Sequence, residues 1–308
     1  MPAPTPQQQA QMDRVLGLLP GRIRRIADHL LGTWLGRVGL GFAWSLQRIE
    51  IFDRSMAVAA QLFTSVFPVL IMMASWFGNA DSVLVDTFNM PQEAGTAVTD
   101  SLDDGGSTTF GIIGGIIVLA SATSLSRALA RAYAIIWSIP RPKSNIASAW
   151  RWVAVVLGLA IMVVVLRRMH SVTDAIPPAE LWTIVLIALL YFAMGVLVPW
   201  ILLKGVVTLR AVMTGAALFA VVMMLVRPFS NVWLPHALEA SAVRYGSIGV
   251  AFTYLAWFYI IAWIYLAAAV LGQVLVSDEG EVGRRLRGRH PLIRLDRAGE
   301  TIHEGPRS

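Results

Sequence analysis

The chain has 308 residues, of which 56% are hydrophobic and only 14% charged, and its mean hydropathy is +0.64. Soluble domains carry roughly 45–50% apolar and about 25% charged residues, so this composition argues against a soluble globular fold. The net charge of +6 could fit a nucleic-acid partner, but the arginines gather in the terminal segments and alternate loops, where membrane topology alone requires them, and no nucleic acid is expected. There are no cysteines, which excludes disulfides and thiolate metal sites.

Taken in order, residues 1–29 read as a disordered polar tail. Its start, MPAPTPQQQAQ, is rich in Pro and Gln and has no apolar core, so it is not a signal peptide and the first span must direct insertion itself. Residues 30–54 place Leu31, Trp34, Leu35, Val38, Phe42, Leu46 and Ile49 at spacings of three and four, with Arg37 and Arg48 elsewhere on the wheel. That pattern predicts an amphipathic helix lying in the membrane interface.

Residues 55–276 form the predicted transmembrane domain. From Ser55 to Phe77 no side chain is charged, long enough for one helix to cross a hydrocarbon layer of about 30 Å. Further apolar runs occur at Phe110–Trp137, Trp152–Leu166, Leu181–Leu203, Ala211–Val226 and Ile248–Val276, giving six candidate spans. The third and fifth are short and must borrow flanking residues or thin the bilayer. Residues 277–308 are a basic, Arg-dense tail, read as flexible and held near anionic lipid. The fold class is therefore all-α: six membrane spans with an interfacial helix before them.

Charge sets the orientation. Seven arginines precede Ser55, whereas Gly78–Thr109 carries six acids and no Lys or Arg. Assigned to a six-span topology, nineteen Lys/Arg fall on the cytoplasmic side, against four (Arg167, Arg168, Arg227 and Arg244) in the external loops. By the positive-inside rule both termini are cytoplasmic. Trp137, Trp150, Trp152, Trp182, Trp200 and Trp233 sit near span ends, as an interfacial aromatic belt would.

Arg127 and Arg131 stand within the second run, four apart and so on one helix face. A charge at membrane depth costs about 2.5–3.5 kcal/mol on insertion scales, which invites a functional reading. With Ser121, Ser124 and Ser126 before them, the two guanidinium groups can line a polar cavity for a phosphate or carboxylate; the bland alternative is that both snorkel to head groups. In the first span Gln61, Ser65 and Pro68 share a stripe, and Pro68 frees a carbonyl near Thr64 or Ser65. Ordinary packing explains such a proline as well. Gly111, Gly114, Gly115, Gly158, Gly195 and Gly215 offer faces for close helix approach and permit a homo-oligomer. In the last span Gln273 follows Gly272, after an aromatic run from Tyr254 to Tyr265 that packing explains.

Evidence for an enzyme is thin. The five histidines are scattered, no metal-ligand spacing occurs within a span, and GxSxG, Walker A, HExxH and GxGxxG are all missing. Asp103 and Asp104 fall well short of the roughly six oxygens calcium needs. No cofactor and no metal are expected.

Several segments in order resemble the YihY/BrkB family of bacterial inner-membrane proteins, which once carried a ribonuclease label. They are AAQLFTSVFPVLIMM with Phe63, Ser65 and Pro68; SATSLSRALARAY; TLRAVMTGAAL around Gly215; and RYGSIGVAFTYLAWFYIIAWIYLAAAVLGQ from Arg244 to Gln273. The resemblance implies a six-helix integral protein with both termini cytoplasmic, and leaves the activity open. Ala130 and Gln273 stand where that family often has Asn and Glu, so no proton-coupling carboxylate is expected at 273. Two functions compete. One is a transporter or lipid-handling protein, with Gln61, Ser65, Pro68, Ser121, Ser124, Arg127, Arg131 and Gln273 as the candidate binding set for an anionic solute or head group. The other is a scaffold or envelope-integrity factor, for which the cytoplasmic tails matter more. Membrane lipids are partners in both, and nothing in the residues looks able to cut RNA.

Overall fold

A computed structural model of the chain describes residues 33–77, 107–139, 179–203, 206–278 and 280–287. These residues are all-helical, without a strand among them. The predicted third span, the acidic loop at 78–106, the N-terminal tail and the last twenty-one residues of the basic tail lie outside the described residues.

Helix α1, Trp34–Arg48, opens on Thr33, whose hydroxyl accepts from the Gly36 N–H at 3.2 Å and satisfies one of the donors that every helix start leaves bare. It ends at Ile49–Glu50, where Glu50 takes a positive φ of 53° and its N–H reaches the Gln47 carbonyl. That two-residue corner feeds directly into α2, Ile51–Phe77. Ile51, Ser55, Val58, Ala59 and Ser65 are buried at helical spacing along one face of α2, while Phe52 and Met56 are exposed.

Helix α3, Ser107–Ile136, packs against α2. Its buried face is dominated by Ala128, Ala130, Ala132 and Ala134, small side chains that let neighbouring backbones come close. The helix is stopped by Ser138 at φ 51°, with the Ile139 N–H bonded to the Ala134 carbonyl and the Ser138 N–H to the Ile135 carbonyl, a Schellman closure made without glycine.

Helix α4, Ala179–Leu202, contains Pro199. Helix α5, Leu209–Ser277, would run about 100 Å if straight, but it doubles back at Gly246 (φ 62°, ψ −147°), a conformation open almost only to glycine. Its two arms, 209–245 and 247–277, lie antiparallel along their length. Ser241 Oγ meets Thr253 Oγ1 at 2.7 Å near the corner, Trp233 and Trp257 have ring centroids 6.3 Å apart, and Gly215 faces Gly272 near the far end. A short last helix, α6 (Glu281–Arg287), packs on α5.

The core gathers where α1, α2, α3 and the second arm of α5 converge, around Ile51, Ala59, Tyr133, Ile136, Leu266 and Val270. Elsewhere the molecule shows apolar side chains outward: Leu181, Val185 and Leu189 on α4, and Leu225, Phe229, Val232 and Phe252 on α5, are all more than half exposed. Helices apolar on every side need an apolar solvent. Two of them, over Ile184–Leu202 and Leu209–Ser277, are long and apolar enough to cross a membrane.

Four details add to the sequence reading. The segment between the fifth and sixth runs is helical from Arg227 to Tyr245, the backbone ladder continuing after the apolar composition stops. Part of the apolar stripe of α1 packs inward: Val38 is buried and Trp34, Phe42 and Leu46 pack on the core, leaving Leu35, Leu40 and Trp44 as the outward set. Trp137 is buried in the core instead of joining an aromatic belt, whereas Trp182 and Trp200 remain well exposed. The start of the basic tail is ordered as α6, with the Asp278 carboxylate accepting from both the Gly280 N–H and Trp34 Nε1, the latter at 3.0 Å.

Candidate functional site

The sequence-predicted residues fall into three places. The first is a polar pair between α2 and α3. Gln61 lies about 15 Å from the start of α2 and Ser124 about 18 Å from the end of α3, so in this antiparallel pair they meet at similar depth. Ser124 Oγ donates to Gln61 Oε1 at 2.5 Å. One turn further along α2, Ser65 is buried and its hydroxyl donates to the Gln61 backbone carbonyl at 2.6 Å. Thr64 does the same to Ala60. These back-bonds keep the hydroxyls satisfied within their own helix, as an apolar surrounding demands. The Gln61 Nε2 group is left without a partner among the described residues.

The second place is the exposed flank of α3. Arg127 and Arg131 are both exposed among the described residues, so they do not close around the Gln61–Ser124 pair. Arg127 Nε donates to the Thr123 carbonyl at 3.4 Å and Arg131 Nε to the Arg127 carbonyl at 3.2 Å, so each side chain runs back toward the start of α3. The two side chains lie against α3 one turn apart, Arg131 nearer the helix end. Their terminal nitrogens have no partner among the described residues. Two cations stacked one turn apart, each with a face of N–H donors, are suited to grip phosphate or carboxylate oxygens.

The third place is the end of α5, where Gln273 Nε2 donates to Ser277 Oγ at 3.2 Å, a local bond apart from the other two groups. The side chains of Pro68 and Ser121 lie outside the described residues, although α2 is helical without interruption through position 68. No cluster of three potential metal ligands occurs among the described residues.

Sequence reasoning missed two features. The indole of Trp34 clasps Asp278, tying α1 to the end of α5; an acid directly after the last apolar run was the available signal. It also missed a small cavity among α3, α4 and α5 that carries Tyr133, Trp137, Pro199 and Tyr265. The proline inside an otherwise unbroken apolar run was the hint there.

All-helical architecture with outward apolar faces and helices of membrane-crossing length defines a helical membrane protein. The family model for Virulence factor BrkB matches residues 43–290, and the chain belongs to that family. No curated protein and no solved structure matches the chain.

Proposed function

We propose that this protein binds, and moves or presents, an anionic solute or lipid head group in the bacterial inner membrane, and that it is not an enzyme. The observation that carries the reading is the placement of Arg127 and Arg131 one turn apart on a single exposed flank of α3, within a few residues of the Gln61–Ser124 pair. In the six-span, positive-inside topology with both termini cytoplasmic, the end of α3 faces the cytoplasm, and Arg131 and Arg127 lie about 8 and 14 Å along the helix from that end. A guanidinium held at depth in an apolar surrounding gains most from an anion, because bulk water is not there to solvate it. The anion docks across the two arginines, and Gln61 Nε2 is a neutral donor at the same depth.

The test is thermal unfolding in neutral detergent with and without phosphatidylglycerol. A ligand that binds only the folded state raises Tm. Phosphatidylglycerol should raise the Tm of the natural protein but not that of Arg127→Gln/Arg131→Gln, while phosphatidylethanolamine should move neither. An equal rise in both proteins would remove the arginines from the site.

A further inference from the structure

Over residues 123–136 of α3, every position is buried or half-buried except two, Arg127 and Arg131. Successive residues of a helix turn by about 100°, so an exposed stripe this narrow has other elements closing on both its sides. Ser124, three residues before Arg127, lies to one side and donates to Gln61 of α2. Ala130, three residues after it, lies to the other side and packs with Val198 and Leu202 of α4. The arginines therefore stand on the floor of a slot whose walls are α2 and α4. Toward the helix end the slot is blind: Ala134, three residues beyond Arg131, is 1% exposed, and Ala132, Tyr133 and Ile136 around it are buried. Toward the start of α3 the stripe stays open, with Thr123 and Ser124 half-buried and Ala120, two turns before Arg127, exposed.

The blind end is the charged end. Arg131 lies about 8 Å from the cytoplasmic end of α3, and Ala120 about 16 Å farther along the helix into the bilayer. Half of a hydrocarbon layer of about 30 Å is about 15 Å, so the stripe is one leaflet deep. Its floor changes in the same direction, from two guanidinium groups through two hydroxyl side chains to a methyl group. A lipid of the cytoplasmic leaflet has that polarity and that length, with phosphate toward the cytoplasm and acyl chain toward the mid-plane. We propose that the slot holds one anionic glycerophospholipid of that leaflet, its phosphate across Arg131 and Arg127 and one acyl chain laid along α3 past Ala120. This rests on the anion reading above and names the ligand's class: a lipid that enters sideways from the bilayer between α2 and α4, not an anion that arrives from water. An acyl chain fills the stripe with dispersion contacts and keeps water from the guanidinium groups, which then hold the phosphate in a low dielectric. A free phosphate supplies neither.

The test compares two probes that share the anion and differ in the chains, dioleoyl phosphatidylglycerol and glycerol 1-phosphate, each added to the full chain in neutral detergent with Tm as the readout. The phospholipid should raise Tm and glycerol 1-phosphate should leave it unchanged. Ala120→Phe fills the stripe about 10 Å from Arg127, with its ring tilted away from the arginines, and should lose the rise. Ala120 is exposed, so without lipid this variant should unfold at the natural Tm; the smaller Ala120→Leu takes its place if it does not. A full rise retained in both variants overturns the slot. If glycerol 1-phosphate raises Tm as much as the phospholipid, and Arg127→Gln/Arg131→Gln loses both effects, the anion site stands and the lipid assignment is overturned. If the double variant keeps the rise with phospholipid, the anion reading itself fails.

Discussion

Ser124 and Gln61 form a side-chain to side-chain hydrogen bond between α2 and α3, and its value follows from where they lie. In water such a bond would compete with solvent, whereas at membrane depth its loss leaves an amide oxygen facing hydrocarbon. Measured interhelical bonds in membranes nonetheless average about 0.6 kcal/mol, because the unfolded chain in the bilayer also finds partners. Ser124→Ala should therefore lower stability by about 0.5–1 kcal/mol without unfolding the protein, read from the midpoint of SDS-induced unfolding. A loss several times larger would mean that the pair organises more than one contact. At this scale the sequence was partly legible. The i,i+4 spacing of Gln61 and Ser65 and the serines before Arg127 marked a polar seam, and Gln61, Ser65 and Ser124 do come together. That the arginines stand on a flank apart from the Gln61–Ser124 pair was not legible, since it depends on how α2 and α3 pack and not on spacing within one helix.

Among elements, the hairpin of α5 is held by close backbone approach. A Cβ added at Gly272 would stand 2.5 Å from the Gly215 Cα and 2.6 Å from its nitrogen, both backbone atoms that cannot rotate away. At Gly39 in α1 an added Cβ would meet nothing within 4 Å. Gly272→Ala should thus cost about 1–3 kcal/mol by overpacking, whereas Gly39→Ala should be neutral or stabilise by up to about 1 kcal/mol through lower chain entropy. Unfolding midpoints of the two variants, measured side by side, check the contrast, and equal effects would contradict it. The apolar runs located α2, α3, α4 and both arms of α5 because hydrocarbon-length segments are written plainly in composition. They could not reveal that residues 227–245 stay helical, because a helix leaving the apolar layer keeps its backbone ladder while its side chains turn polar. Gly246 was visible only as one glycine among twenty-five.

For the molecule as a whole, topology and the anion site stand together, since the depth of Arg127 and Arg131 is counted from an end of α3 that faces the cytoplasm. The chain has no cysteine, so single substitutions report sidedness without further engineering. Tyr245 is 71% exposed beside the hairpin corner, and Arg285 is exposed on α6. In intact spheroplasts an impermeant maleimide should label Tyr245→Cys and spare Arg285→Cys until the membrane is opened. The reverse pattern would invert every depth assigned above. The most direct measurement of the anion site is mass spectrometry of what co-purifies with the protein in mild detergent, comparing the natural chain with Arg127→Gln/Arg131→Gln. Hydrogen bonds to charged groups are worth about 1.5–3 kcal/mol each, so removing both guanidinium groups should reduce retention more than tenfold. A specific anionic lipid or solute held by the natural protein and lost from the variant is the predicted result; bulk lipid in equal amounts on both would contradict it.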